Sequence, residues 1–287
     1  MAEPWFVPHL RNVHSQCGED GILERLFERL GVHSGWAVEF GAADGVRLST
    51  TRNLILKGGW SAVLIECDPE EFSRLARNYA GHRDVHCLRR RIVAVPGHRD
   101  SLDAILGEVP VPAHFELLAV DVDGNDYHIW ESLQRYVPRV VVIEFNPTIP
   151  SEVDYVQAND GGLNRGCSLR TLVRLGKTKG YELAAVTAWN AVFVRVADFV
   201  RLDLGDNSIE HLRCDASDVT YLFFGQDGTA LLAGARRLPW HEVEVRESDV
   251  QLVPAILRRY PPRYSRWQRL LYKAWLRLTG RRSPSRG

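Results

Sequence analysis

Trp36-Ala-Val-Glu-Phe-Gly-Ala-Ala-Asp-Gly45 is a short apolar run that stops at a loop of small residues punctuated by glycines. A buried strand followed at once by glycines brings the backbone close to a ligand at the carboxyl end of a strand in an α/β sheet. The chain on either side supports that fold. Helical spacing through Thr51, Asn53, Leu54 and Leu56 runs to Gly58-Gly59, and the next apolar run, Ser61 to Ile65, ends in Glu66. Pro69 opens a second helix through Phe72, Leu75 and Tyr79. The product is a β-loop-α-β unit with an acid at the tip of its second strand. A carboxylate there has two oxygens placed to bridge the vicinal hydroxyls of a ribose.

Further along, Val85 to Val95 forms a third strand interrupted by Arg89-Arg90-Arg91, and Asp100 to Leu106 a helix. Leu117-Leu-Ala-Val-Asp121 is a buried strand running into Val122-Asp123-Gly124-Asn125-Asp126-Tyr127, with Ile129, Trp130, Leu133 and Tyr136 continuing as a helix. Val140 to Ile143 is a fifth strand ending in Glu144-Phe-Asn146-Pro147. Adjacent parallel strands thus deliver Asp121, Asp123 and Glu144 to one edge of the sheet. Asn159 to Gly166 is a glycine-rich loop long enough for a lid. Ser168 to Leu175 is a helix, and Tyr181 to Ala185 with Ala191 to Val196 a late β-hairpin joined through Trp189-Asn190. Before the first strand, Ser15-Gln-Cys-Gly-Glu-Asp20 precedes an amphipathic helix through Ile22, Leu23, Leu26, Phe27 and Leu30. Its polar residues either cap that helix or, in Gln16, Glu19 and Asp20, line a ligand mouth.

Composition narrows the class. The 287 residues are 45% hydrophobic and 25% charged, as in an ordinary globular protein able to bury a full core. Formal net charge is zero, yet no acid follows Asp249, while ten Lys and Arg lie from Arg258 to Arg286. Without those ten, 26 basic face 36 acidic residues, so an acidic body carries a cationic tail and is a poor match for nucleic acid. Five scattered cysteines without a CxxC pair suit reduced thiols. Met1-Ala-Glu-Pro-Trp has neither a basic n-region nor an apolar h-region, so a cytoplasmic protein is expected.

The glycine loop selects among nucleotide ligands. A dinucleotide needs G-x-G-x-x-G for its pyrophosphate, whereas this loop has only Gly41 and Gly45 and sets Asp44 where a pyrophosphate would approach. S-adenosyl-L-methionine carries a sulfonium cation and no phosphate, so acids beside the loop attract it.

Glu39-Phe-Gly-Ala-Ala-Asp-Gly45, Val-Leu-Ile-Glu66 and Leu-Ala-Val-Asp121-Val-Asp-Gly124 together resemble class I S-adenosylmethionine-dependent methyltransferases, and most closely the FkbM-like branch. Ser15 to Asp20 is similar to the N-terminal motif of that branch, and the resemblance spans roughly residues 12 to 197. It implies a Rossmann-like α/β sheet with helices on both faces. It also implies that Glu39, Gly41 and Gly45 surround the methionine part of the cofactor, with Ala42 and Asp44 of the same loop also cofactor-binding, that Glu66 holds the ribose, and that Cys67 and Asp68 lie near the adenine. Glu39-Phe stands where the branch more usually has Asp-Val.

Methyl transfer to a hydroxyl needs the acceptor oxygen in line with the methyl group and a base or metal to take the proton. Asp121, Asp123 and Glu144 are the candidate catalytic acids, Asp121 first because it directly ends its strand and also flanks the cofactor. Asp121, Glu144 and Asn146 offer oxygen ligands for Mg²⁺, although the paired Asp-Asp that marks the clearly metal-dependent sugar enzymes is replaced by Glu144-Phe-Asn146. Gln16, Asn146, Tyr155 and Trp189 are expected on the acceptor side, as is the face of Tyr127; Trp130 is a core residue by its spacing. Nucleobase methylation is opposed because Asn146-Pro147 follows the wrong strand and lacks a stacking aromatic. The expected activity is O-methylation of a sugar or glycan; the competing expectation is a non-catalytic Rossmann-like module recruited to a membrane or partner by its tail.

Three segments are expected: a helical lead at 1–35, a methyltransferase domain at 36–254 and a basic tail at 255–287, with 204–254 showing no clear pattern. Tyr264 to Thr279 is a helix with Trp267, Leu270, Leu271, Ala274, Trp275 and Leu278 on one face and Arg266, Arg269, Lys273 and Arg277 elsewhere. Such a face suits an anionic membrane surface, the protein's own body or a partner subunit in a homo-oligomer.

Overall fold

The computed structural model describes residues 3–281, which fall in two compact units, Met1–Ala216 and Ser217–Gly287. The first is built on a seven-stranded sheet: β1 (Trp36–Phe40), β2 (Ser61–Glu66), β3 (Val85–Arg89), β4 (His114–Val120), β5 (Val137–Glu144), β6 (Tyr181–Val186) and β7 (Asn190–Arg195). Their order is β3-β2-β1-β4-β5-β7-β6. β1 to β5 pair in parallel, and β7 inserts antiparallel beside β5 with β6 as the edge. This is the doubly wound, Rossmann-like α/β sheet that the motifs imply.

Helices α1 (Glu19–Leu30), α2 (Arg52–Gly58), α3 (Pro69–Asn78), α4 (Leu102–Leu106), α5 (Asp126–Ser132), α6 (Leu169–Thr178), α7 (Val196–Leu202) and α8 (Ile209–Leu212) complete the unit. The alternation of a strand divides its core. On β2, Ala62 and Leu64 join Ile55, Leu75 and Tyr79 on one face, while Val63 and Ile65 join the larger cluster that contains Phe27, Phe115 and Trp130. Trp130 is fully buried, its ring 5.1 Å from Phe193 and 5.7 Å from Tyr181, which confirms it as a core residue. α3 starts where Asp68 Oδ1 accepts the amides of Glu70 and Glu71, both at 2.9 Å. Ser168 and Ser101 cap α6 and α4 in the same way.

β3 stops at Arg89, short of the expected Val95, although the Arg90 amide still donates to the Glu66 carbonyl at 3.1 Å. The segment from Ser217 proves to be short antiparallel ribbons, β8 (Thr220–Phe224) with β9 (Ala230–Gly234) and β10 (Arg237–Leu238) with β11 (Val243–Glu244), followed by α9 (Arg266–Leu278). The last six residues of the tail, Arg282 to Gly287, lie outside the described residues. The five cysteines are free thiols. Among the described residues no helix is long and apolar enough to cross a membrane.

Candidate active site

Four strand ends converge. After β1 the chain turns at Gly41, whose φ is +72°, and a Cβ placed there would lie 1.5 Å from the carbonyl oxygen of Asp121. Only glycine permits the β1 and β4 ends to approach so closely. Ala42 donates to the Ile65 carbonyl at 3.2 Å, which ties the same turn to β2. Asp44 accepts the amides of Val46 and Arg47 at 2.9 Å each and so shapes the rest of the loop.

Glu39 and Glu66 frame this turn from within. Glu39 is 6% exposed, and its carboxylate accepts the Ser49 hydroxyl at 2.7 Å, the Thr51 hydroxyl at 2.5 Å and the Thr50 amide at 2.7 Å. Burial pushes its carboxyl above the usual range, and those donors pull it back. Glu66, 8% exposed, spans the two loops: one oxygen accepts the Ala43 amide at 2.8 Å and the other the Asp68 amide at 2.7 Å. Each oxygen of Glu66 keeps a second lone pair for a ligand. Cys67 is exposed beside it.

The second half of the site differs. Asp126 is buried, and its two oxygens accept the amides of Val122 and Gly124 at 2.9 Å each, closing a tight turn between β4 and α5. The turn holds Asp123 at φ +56° and projects Asp121 and Asp123 toward Glu144 on the neighbouring strand. Carboxylate oxygens of Asp121, Asp123 and Glu144 lie within 4.8 Å of one another. Among the described residues none of the three carboxylates accepts a hydrogen bond or forms an ion pair. Asp121 is open to solvent at its edge yet crowded by protein, and burial, then Asp126 and Asp123, push its carboxyl up to about 7. Glu144 is driven to about 10 by burial first and by Asp121 second. Adjacent like charges cannot all ionise cheaply, so near neutral pH the cluster retains protons.

Other expected residues are placed elsewhere. The Asn146 oxygen is engaged within its own loop: Oδ1 accepts the Thr148 amide at 2.9 Å and hydroxyl at 2.6 Å, and Nδ2 donates to the Arg165 carbonyl at 2.9 Å. It anchors a loop, and Asp123 takes its place beside Asp121 and Glu144 as an oxygen donor. The 159–166 segment is pinned rather than free. Buried Gln157 accepts the amides of Arg165 and Gly166 and donates to the Leu163 carbonyl at 3.0 Å, while Asn164 donates to the Asp123 carbonyl at 2.8 Å. Gly124 is required beneath it, since a Cβ there would meet the Leu163 carbonyl at 2.5 Å.

In the N-terminal motif Gln16 is exposed, and Asp20 accepts the amides of Val13, His14 and Ser15 within 2.8 Å. Glu19, fully buried, accepts the Thr187 hydroxyl at 2.9 Å and the Asn190 amide at 3.0 Å. Asn190 pairs in register with Glu144, so Glu19 positions the strand end that carries Glu144. This role of Glu19 and Asn190 was not evident in the sequence; the one signal was a polar pair flanked by apolar runs. Tyr155 and Trp189 are half-buried, and the Trp189 carbonyl accepts the Phe145 amide at 3.0 Å.

No protein-family model matches the chain, and no curated protein matches it. Among solved structures it is similar to the N-terminal domain of EvdMO1, crystallised in the presence of SAH and D-fucose, at 12% identity over 62% of this chain and 82% of that one, with a TM-score of 0.41. It is also similar to a TehB-like SAM-dependent methyltransferase from Corynebacterium glutamicum, at 14% identity over 66% and 92% of the two chains and a TM-score of 0.39. A putative sarcosine dimethylglycine methyltransferase from Galdieria sulphuraria matches at 16% identity over 56% and 60%, with a TM-score of 0.38.

Proposed function

We propose that the protein is an S-adenosyl-L-methionine-dependent O-methyltransferase acting on a hydroxyl of a sugar or glycan. The observation that carries this reading is the cluster of Asp121, Asp123 and Glu144 directly beside the glycine turn at Gly41. The donor supplies an electrophilic methyl group on a cationic sulfur. The cradle suits it: the turn at Gly41 lets the β1 and β4 ends meet beside it, Glu66 has lone pairs for a ribose diol, and the surrounding acids favour a sulfonium over a phosphate. Glu39 contributes from behind, by fixing the 49–51 turn.

Asp121 is the base. With its carboxyl near 7 it is partly ionised at neutral pH and is matched to accepting a hydroxyl proton. As the acceptor oxygen attacks the methyl carbon, the carbon–sulfur bond breaks and Asp121 takes the proton. Glu144, protonated until about 10, donates a hydrogen bond that orients the acceptor. Asp123, Asp121 and Glu144 also form a hard oxygen set that fits Mg²⁺, which would polarise the acceptor hydroxyl. Tyr155 and Trp189 lie half-buried in this half of the unit and can cover a sugar face.

The test is titration of the purified protein with S-adenosylmethionine and S-adenosylhomocysteine, followed by transfer of a labelled methyl group into sugar acceptors. Saturable binding with transfer is expected. Binding of neither nucleoside overturns the reading in favour of a non-catalytic module.

A further inference from the structure

We propose that α9, in the second unit, is a docking surface for an anionic lipid bilayer. The tail helix has two apolar faces, not one. Leu271, Tyr272, Trp275 and Leu276 are half-buried, with Tyr272 5.8 Å from the buried Tyr264 ring. Trp267, Leu270, Ala274 and Leu278 form a second stripe at helical spacing that faces solvent: Trp267 is 65%, Leu270 63% and Leu278 87% exposed. The helix is well specified as a helix, because Ser265 and Gln268 close a capping box at its start. Ile256, 62% exposed, extends the apolar surface where its carbonyl accepts Gln268 Nε2 at 3.2 Å.

The occupant is identified by charge. Arg266, Lys273 and Arg277 lie along one border of the exposed stripe, with Arg269 beyond them, all four exposed. Among the described residues none of them is ion-paired. No acid follows Asp249 in the chain. A second copy of this surface would bring its own arginines against these in a two-fold contact, with no carboxylates from α9 to offset them. A bilayer carrying anionic headgroups meets both needs: apolar side chains enter the headgroup boundary, the Trp ring suits that depth, and the cations remain beside the phosphates. At 13 residues α9 is too short to span a bilayer, so contact through it is peripheral.

The experiment is co-sedimentation of the full chain with vesicles of phosphatidylcholine alone or with about 30 mol% phosphatidylserine. Binding to the anionic vesicles that weakens as salt is raised is expected, with little binding to the neutral ones. The triple variant Trp267→Ser, Leu270→Ser, Leu278→Ser changes exposed side chains only, should keep its unfolding midpoint, and is expected to lose roughly tenfold or more in partitioning. Arg266→Gln with Lys273→Gln and Arg277→Gln should abolish the preference for anionic vesicles. Failure to sediment with anionic vesicles at low salt, or equal sedimentation of the triple variant, overturns the proposal. So does a soluble dimer or a complex with an acidic protein that the triple variant dissociates while the parent ignores lipid.

Discussion

The two halves of the sheet edge treat their carboxylates in opposite ways. At the ends of β1 and β2, Glu39 accepts three hydrogen bonds and Glu66 two, so both acids hold loops in place while each oxygen of Glu66 keeps a lone pair. At the ends of β4 and β5, Asp121, Asp123 and Glu144 crowd within 4.8 Å, and among the described residues no donor is supplied to them. Satisfied carboxylates make a rigid cradle; unsatisfied ones store proton affinity for a ligand, an acceptor hydroxyl or a cation. The proposed function rests on this difference, with the cofactor at the first half and the chemistry at the second.

The comparison can be broken most severely at the point where the halves touch. Gly41→Ala would force a Cβ onto the Asp121 carbonyl at a positive φ. A loss of roughly 3–5 kcal/mol in unfolding free energy is expected by denaturant titration; a variant of parental stability would show that the loops are not in contact. Next is Asp121→Asn, which should leave nucleoside affinity within a few-fold and cut methyl transfer by about 10²–10⁴, the usual contribution of a general base. Full turnover would remove Asp121 from that role.

Glu66→Gln keeps the shape of the side chain but weakens its acceptance from ribose hydroxyls and from the Ala43 and Asp68 amides. Affinity for S-adenosylhomocysteine should fall by roughly 10-fold or more in calorimetry, and the apo unfolding midpoint should drop by on the order of a few degrees, because the new NH2 cannot accept one of the two amides.

The smallest effect concerns Glu144. Its carboxyl is raised from the ordinary 4.5 to about 10, so the fold prefers the neutral form. Below about pH 4.5 both folded and unfolded states are protonated and the residue costs nothing; as pH rises toward 10 only the unfolded state gains by ionising, and stability falls. Glu144→Gln removes that fall. Its melting midpoint should match the parent at acid pH and exceed it by on the order of a few degrees at pH 8. Mg²⁺ at pH 8 should raise the parent's midpoint and not the variant's, if the cluster takes a cation.

The strand ends were legible because each motif joins a buried apolar run to an acid or glycine, and the sheet has few ways to arrange such units. Hydrogen-bond partners were not. Asn146 has the chemistry of a ligand, but Thr148 two residues on captures its carbonyl oxygen, a local competition that an Asn-Pro-Thr sequence permits. The glycines of 159–166 are those of a flexible loop, whereas one buried side chain, Gln157, holds that loop through hydrogen bonds. The polar run before α1 suits a cap or a ligand mouth, whereas Glu19 reaches Asn190, 171 residues away, a contact no local pattern encodes. The ribbons after Ser217 are two to five residues long, too short for periodicity to register. In the tail, helical spacing was clear, but only the fold divides its apolar residues into a packed and an exposed face.

The division of labour along the sheet edge is tested most directly by one paired calorimetric titration of S-adenosylmethionine into Glu66→Gln and Asp121→Asn, both confirmed to be folded. Weakened binding in the first with near-parental binding in the second is the expected result. Parental binding in Glu66→Gln, or no binding by the parent protein, would contradict it.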